Sequence, residues 1–308
     1  MNNVATREIE SLQAICNRPV VVYCVSDHPS KPLEVNDVPI LYECLRTLGT
    51  TEQLDFVFYC TGGYVNAARR IALLLHNYTN HLRVLVPYKA LSAGTLLCLG
   101  AHELVLGSMA EFTPIDPHIG SAMGQNPAGS PSLISAEDIR AYREMAENWF
   151  GLTSEEHRMQ LFTLLNQRIF PTSLSSFYRA DKEVRQIAAD LLKYQLPGVA
   201  AGDRERIVNQ LVSGYPSHDY RITREEAREI GLRVQLPSLE MESLVWNIYK
   251  ACQQYMKTAM EGSQLPGTGI GGVIISANFA AQHVIRPIPF QPEGQPGVST
   301  IEGTWEIL

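Results

Sequence analysis

Apolar positions fall into two registers along this chain. Residues 19–26 (PVVVYCVS) and 54–60 (LDFVFYC) are apolar at odd and even positions alike, the pattern of strands covered on both faces. Residues 82–87 (LRVLVP) predict a third strand and residues 103–107 (ELVLG) a fourth. Between them the period lengthens. Residues 36–48 and Ala67 to Tyr78 read as helices, and Ala90 to Ala101 as a helix buried inside a core. Strands and helices alternating at this spacing argue for βαβ units and a parallel sheet. Right-handed crossovers bring the tips after the second and third strands to one sheet edge. Gly62-Gly63 and Ser92 are therefore expected to face each other.

Beyond residue 108 the pattern is mostly helical. Asn126 to Pro131 turns to Gly, Ser and Pro and predicts a loop, with Ser135 placed to cap the helix that follows. Helical spacing continues, broken near Gly151 and Pro171, through residues 175–195 and 203–212. Thr223-Arg-Glu-Glu226 has the form of a capping box and Gly231 would end its helix. A short strand at 232–236 and a helix over 239–258 come next. From Gln264 the chain is rich in Gly and Pro around two apolar runs, Val273–Ala277 and Ala280–Ile285, which predict an extended or hairpin-forming appendage. Gly267-Thr-Gly-Ile-Gly-Gly272 lacks the preceding strand of a dinucleotide loop and reads as a flexible linker. The expected division is a main domain over 1–260, with inserted helical material at about 126–200, and a C-terminal appendage over 261–308.

Composition narrows the function. Of 308 residues, 45% are hydrophobic and 19% charged, and the net charge is −7 with both signs interspersed. No basic stripe for nucleic acid and no polybasic membrane patch is present. The six cysteines form no C-x-x-C pair, which predicts free thiols in a reducing cytoplasm. The polar N-terminus is unlike a signal peptide, and the apolar run ending at Ala101 is too short to span a bilayer. The histidines show no ligand spacing, so neither a metal nor another cofactor is expected, and the chain has no P-loop.

Three segments carry candidate chemistry. Ser92 stands at a strand-to-helix junction before Ala-Gly, where unpaired backbone N–H groups favour developing negative charge. A plain helix cap would use the same residue type. Thr61-Gly62-Gly63 follows a buried strand directly, so its N–H groups can point outward as an oxyanion hole; an ordinary βα turn is the competing reading. In Phe112-Thr-Pro-Ile-Asp-Pro-His118 two prolines stiffen the backbone around Asp116. A fixed carboxylate suits orienting a histidine, although Asp-Pro also makes simple rigid turns.

The ordered set resembles a family. Gly-Gly after a strand, Ser-Ala-Gly about thirty residues on and Pro-Ile-Asp-Pro about two dozen later are similar to the ClpP and signal-peptide-peptidase-A proteases. The branch most similar is the serine dehydrogenase proteinases. Tyr215-Pro-Ser-His-Asp-Tyr-Arg-Ile-Thr223, then Glu225-Glu-Ala-Arg-Glu-Ile-Gly-Leu-Arg-Val234, extend the likeness, which covers residues 18–236. It implies a ClpP/crotonase-like spiral of βαβ units, a parallel sheet flanked by helices, and a homo-oligomer.

The resemblance also implies roles. ClpP orders its triad Ser, His, Asp; here Asp116 stands at the histidine's place and His218-Asp219 in the aspartate's segment. The implied set is Ser92 as nucleophile, Asp116 as orienting acid and His218 as base, with the N–H groups of Gly63 and Ala93 as oxyanion hole. His118 with Asp219 would restore the ClpP order. A lysine base would have to come from Lys182 or a neighbouring subunit, since Lys89 precedes the serine on the incoming strand and no lysine lies between Ser92 and Lys182. The expected activity is that of a serine endopeptidase on peptide or protein substrates, through an acyl-enzyme. A crotonase-like acyl-thioester enzyme and a non-catalytic assembly scaffold are the competing readings.

Overall fold

The computed structural model describes residues 4–27, 31–116, 118–125, 131–263, 268–290 and 298–308. Helix α1 (Thr6–Cys16) leads into β1 (Val20–Val25), α2 (Asp37–Leu48), β2 (Thr51–Tyr59), α3 (Val65–His76) and β3 (Thr79–Val86). The short β4 (Lys89–Ala90) precedes α4 (Ala93–Cys98), β5 (Glu103–Leu106) and β6 (Glu111–Phe112). A ribbon, β7 (His118–Gln125) and β8 (Pro131–Ser135), opens the helical region: α5 (Ala136–Phe150), α6 (Glu155–Arg168), α7 (Pro171–Gln195) and α8 (Ala201–Ser213). Then come β9 (Ile222–Thr223), α9 (Arg224–Glu229), β10 (Val234–Gln235) and α10 (Leu239–Glu261), and finally β11 (Gly269–Ser276), β12 (Phe279–Phe290) and β13 (Val298–Ile307).

Eight strands form the main sheet in the order β10-β5-β3-β2-β1-β11-β12-β13. The first five are parallel neighbours, as the βαβ reading requires. All six side chains of β1 are buried; since they alternate between faces, both faces are covered. Helices α1 and α10 pack together and on β1, while α2 packs on α3, and α3 on β3, α4 and α7. A buried ion pair pins the register of β2 on β3. Asp55 and Arg83 are Cα partners, joined at 2.8 and 2.5 Å with the carboxylate fully buried.

Two local expectations are met closely. Thr223 and Glu226 exchange both bonds of a capping box, and the apolar runs after residue 268 pair as the β11–β12 hairpin. One is corrected. Of the segment read as a flexible linker, Gly269 to Gly272 lie in β11, which pairs antiparallel with β1 and so extends the main sheet. Gly271 and Gly272 resemble linker composition because they make room for neighbouring side chains, not because the backbone lacks partners.

His76 donates from Nε2 to the Gly100 carbonyl at 2.7 Å and stacks on Tyr194 at 3.7 Å. Burial, with His102 adding to it, lowers its pKa to about 4, although the Gly100 bond pulls the other way. Burial and the Lys31 charge likewise lower His283 to about 4. In the unfolded chain both bind protons near about 6.5, so the unfolded state takes up more protons below that pH. Their contribution to stability is complete above about 6.5 and is lost as the pH falls from there through about 4. Urea midpoints should therefore drop as the pH falls from about 6.5 to about 4, the window these shifts define. The drop should be smaller in His76→Gln; an identical slope in that variant would rule the account out.

Candidate active site

The site begins with a backbone that a serine does not ordinarily adopt. Cys60, at the end of β2, bridges Ala90 in parallel; Cys60 N–H donates to Lys89 O at 2.9 Å and Leu91 N–H to Cys60 O at 3.0 Å. The chain then turns sharply, leaving Ser92 at φ 51°, ψ −110°, which costs a non-glycine residue about 1–3 kcal/mol. Two buried threonines hold the turn. Thr95 Oγ1 lies 2.8 Å from Ala90 O and 3.0 Å from Thr113 O, and it accepts the Thr113 N–H at 3.2 Å. The Ser92 N–H donates to Thr113 Oγ1 at 2.8 Å. Ser92 occupies the N-cap position of α4, but its side chain makes no capping bond. The plain-cap reading therefore fails, and the hydroxyl is not spent on the helix.

The glycine turn faces this serine. A Cβ built on Gly62 would sit 3.6 Å from Ser92 Cβ, the juxtaposition expected from right-handed crossovers. Gly63, at φ 150°, is pressed against Leu33 so closely that any side chain would collide with the Leu33 backbone. Leu33 N–H donates to Gly62 O and Tyr64 N–H to Leu33 O, both at 2.8 Å. This parallel bridge uses the groups flanking Gly63 and directs the N–H of Gly63 away from Leu33. No described backbone bond takes that N–H or the N–H of Ala93.

Ser92, Gly63 and Asp116 line one open cleft of about 340 Å³ together with Val35, Tyr64, Val65 and Asn66. Its far wall is α7, through Ala180, Glu183 and Val184. Asp116 is 6% exposed. Glu137 on α5 is raised chiefly by burial; the Asp116 charge adds to this and Arg140 opposes it. Arg140 in turn pairs with Glu137 at 2.6 Å and with Asp181 of α7.

His218 is not among the residues lining the cleft. It stands half-buried in a turn between α8 and β9. Both stems of that loop are tied to the Asp116 segment: Leu211 O accepts from Ile115 N–H at 2.9 Å, and Ile222 pairs with Phe112. Inside the loop Tyr215 stacks on Tyr220 at 4.7 Å, and Tyr220 donates to Glu226 at 2.7 Å. His118 opens β7 opposite Ser135; its side chain and that of Ser135 lie outside the described residues. Lys182 is exposed, with its Nζ over the Tyr178 ring. Lys89 Nζ lies over Tyr88 and 3.8 Å from Asp27. Neither lysine lines the cleft. Among the described residues no group of three or more His, Cys, Asp or Glu is arranged to hold a metal ion.

Sequence reasoning missed Thr95, Thr113, Asn66 and Glu183. Thr95 carried a signal, being the one polar residue within Ala93–Cys98. Asn66 donates to Glu183 Oε1 at 3.0 Å, but on two exposed helix surfaces these residues gave no pattern to find.

Residues 30–144 match the model of the ClpP-like SDH-type serine proteinases, a segment that contains Gly62, Gly63, Ser92 and Asp116 but not His218. Two uncharacterized proteins of Methanocaldococcus jannaschii are each 27% identical, over 220 and 195 residues, or 71% and 62% of this chain. The chain spans 66% and 56% of their lengths. Among solved structures, the 1510-N membrane-bound stomatin-specific protease aligns with TM-score 0.42 and 15% identity, over 71% of this chain and 80% of that one. ClpP1 of Listeria monocytogenes aligns with TM-score 0.40 and 10% identity, over 75% and 99%.

Thr113→Val removes the acceptor of the Ser92 N–H while preserving shape. Leaving that donor unpaired should cost about 1–3 kcal/mol of stability and should lower the reactivity of Ser92 more than it lowers the unfolding midpoint. Urea titration and active-site labelling on the same preparation check this; unchanged labelling would mean that the threonine does not hold the serine.

Proposed function

We propose that this chain, whose residues 30–144 match the model of the ClpP-like SDH-type serine proteinases, is a serine peptidase that cleaves peptide bonds through an acyl-enzyme on Ser92. The observation that carries the reading is the strained Ser92, free of any capping duty, facing the Gly62–Gly63 turn in the cleft that also holds Asp116.

In this mechanism His218 takes the Ser92 proton as Oγ attacks the substrate carbonyl carbon. The carbonyl oxygen becomes an oxyanion, bound by the N–H groups of Gly63 and Ala93. Asp116 orients the imidazole and offsets its positive charge. The imidazolium then gives its proton to the leaving amine, the peptide bond breaks, and water hydrolyses the ester by the same steps. In this reading the His218 loop, whose stems are tied to Ile115 and Phe112, has to carry the imidazole to the serine. The cleft is open and α7 forms its wall, a shape that admits an extended peptide.

The oligomer belongs to the same proposal. Trp149, Phe150, Phe162 and Phe170 of the helical region are exposed at 79, 65, 58 and 62%. Large apolar side chains left exposed along residues 149–170 favour a covered surface, and a second copy of the chain would cover it. The six cysteines are all free, which supports a reducing compartment. Among the described residues no helix is long and apolar enough to cross a membrane.

A fluorophosphonate probe should label the folded protein and fail to label Ser92→Ala. His218→Gln should slow labelling by about a thousandfold or more. Equal labelling of Ser92→Ala sinks the nucleophile. A His218→Gln enzyme that labels at the wild-type rate sinks the base and leaves His118 or a lysine in its place. Assembly without any labelling points to a scaffold, and coenzyme A binding that survives Ser92→Ala to acyl-thioester chemistry.

A further inference from the structure

We infer that the C-terminal strand sets the oxyanion turn, Trp305 acting through the buried Lys31–Asp37 pair as a positioning residue for Gly63. This rests on the reading of Gly63 as an oxyanion donor.

The link is continuous. Gly63 lies against Leu33, and two backbone bonds of 2.8 Å join Leu33 to Gly62 and Tyr64. Leu33 belongs to the segment over 31–36 that leads into α2, and Asp37, the first residue of that helix, holds this segment in place. Its carboxylate, 0% exposed, accepts from Lys31 Nζ at 2.5 Å, the Glu34 N–H at 2.9 Å, Tyr23 Oη at 2.7 Å and Trp305 Nε1 at 2.9 Å. Lys31 and Glu34 bracket Leu33, and Lys31 also donates to the Pro32 carbonyl at 3.0 Å. A buried charge persists only when its lone pairs are occupied. Each donor lost from Asp37 therefore loosens the segment that carries Leu33.

Trp305 is the donor supplied from β13, the far edge of the main sheet. Its ring also lies 5.4 Å from Lys31 Nζ and meets His283 edge-on at 5.3 Å. His283 Nε2 stands 3.6 Å from Glu34. The strands are cut away to admit this cluster: a Cβ on Gly272 would press the Lys31 side chain at 3.3 Å, and one on Gly303 would collide with the His283 ring. Thus Gly272, from the segment that resembled a linker, and the strands that follow it build a socket around Lys31.

Trp305→Phe keeps an aromatic side chain at this position but removes the indole N–H together with the pyrrole ring that carries it. Its expected effects are faster hydrogen exchange at Leu33 and Tyr64, and a fluorophosphonate labelling step slower by about tenfold to a hundredfold. The affinity of the non-covalent encounter should change little. Tyr23→Phe, which removes a different donor from the same carboxylate, should act in the same direction. Arg286→Gln breaks the 2.7 Å pair between Arg286 and Glu306 across β12 and β13 without touching Asp37. It should weaken the strand pairing while leaving both readouts at wild-type values. Unchanged exchange in Trp305→Phe would overturn the coupling. Faster exchange with unchanged labelling, or an equal labelling loss in Arg286→Gln, would overturn the positioning role. A wild-type protein that takes no label overturns the peptidase reading instead, and the exchange measurement then still decides whether β13 holds the turn.

Discussion

The bond from the Ser92 N–H to Thr113 is the constraint on which the site depends. A serine at φ 51° pays for its conformation, and it stays there only because the surroundings allow no cheaper arrangement. The bridge of Cys60 to Ala90 fixes the incoming chain, and Thr95 ties the start of α4 to the same residues. Thr113, one residue beyond β6, closes the arrangement. Its neighbours Pro114 and Ile115 carry the backbone on to Asp116, so one short segment sets both the serine's backbone and the carboxylate's position.

On the other side of the cleft the logic is steric rather than strained. Gly63 has no room for a side chain because Leu33 occupies the space, and that contact aims its N–H. The two halves meet where β2 and β4 end, on a framework of parallel strands whose register is held by the buried Asp55–Arg83 pair. Breaking such a pair by removing one partner leaves an uncompensated charge in the core, so the sheet has little freedom to slide beneath the site.

Much of this was legible in the residues. Runs apolar on both parities marked the central strands, because burial on both faces leaves no alternation to see. Thr223 and Glu226 announced their capping box through spacing alone. The facing of Gly62 and Ser92 followed from crossover handedness, a rule about topology that needs no side-chain detail. Other features were hidden for physical reasons. Nothing in the order of residues shows that Lys31 and Asp37 would be buried beside Trp305, more than 260 residues away from either. Gly271 and Gly272 looked like linker because composition does not distinguish a glycine that needs freedom from one that yields space. The wall formed by Glu183 depends on how α7 lies over α3, which patterning within one helix cannot report.

The place of β1 in the main sheet has a consequence for how the chain matures. One side of this wholly apolar strand pairs with β2, made soon after it, but its other side pairs with β11, made more than two hundred residues later. Pairing over such a separation is slow to form, and an open apolar edge invites pairing with other chains. A ribosome-bound chain therefore carries Val20–Val25 with that side unpaired until β11 has been made. Closing that edge is also what brings the following strands, and Trp305 with them, to Asp37. The nascent chain is at its stickiest while its cleft is still unfinished, and the same late docking event ends both conditions.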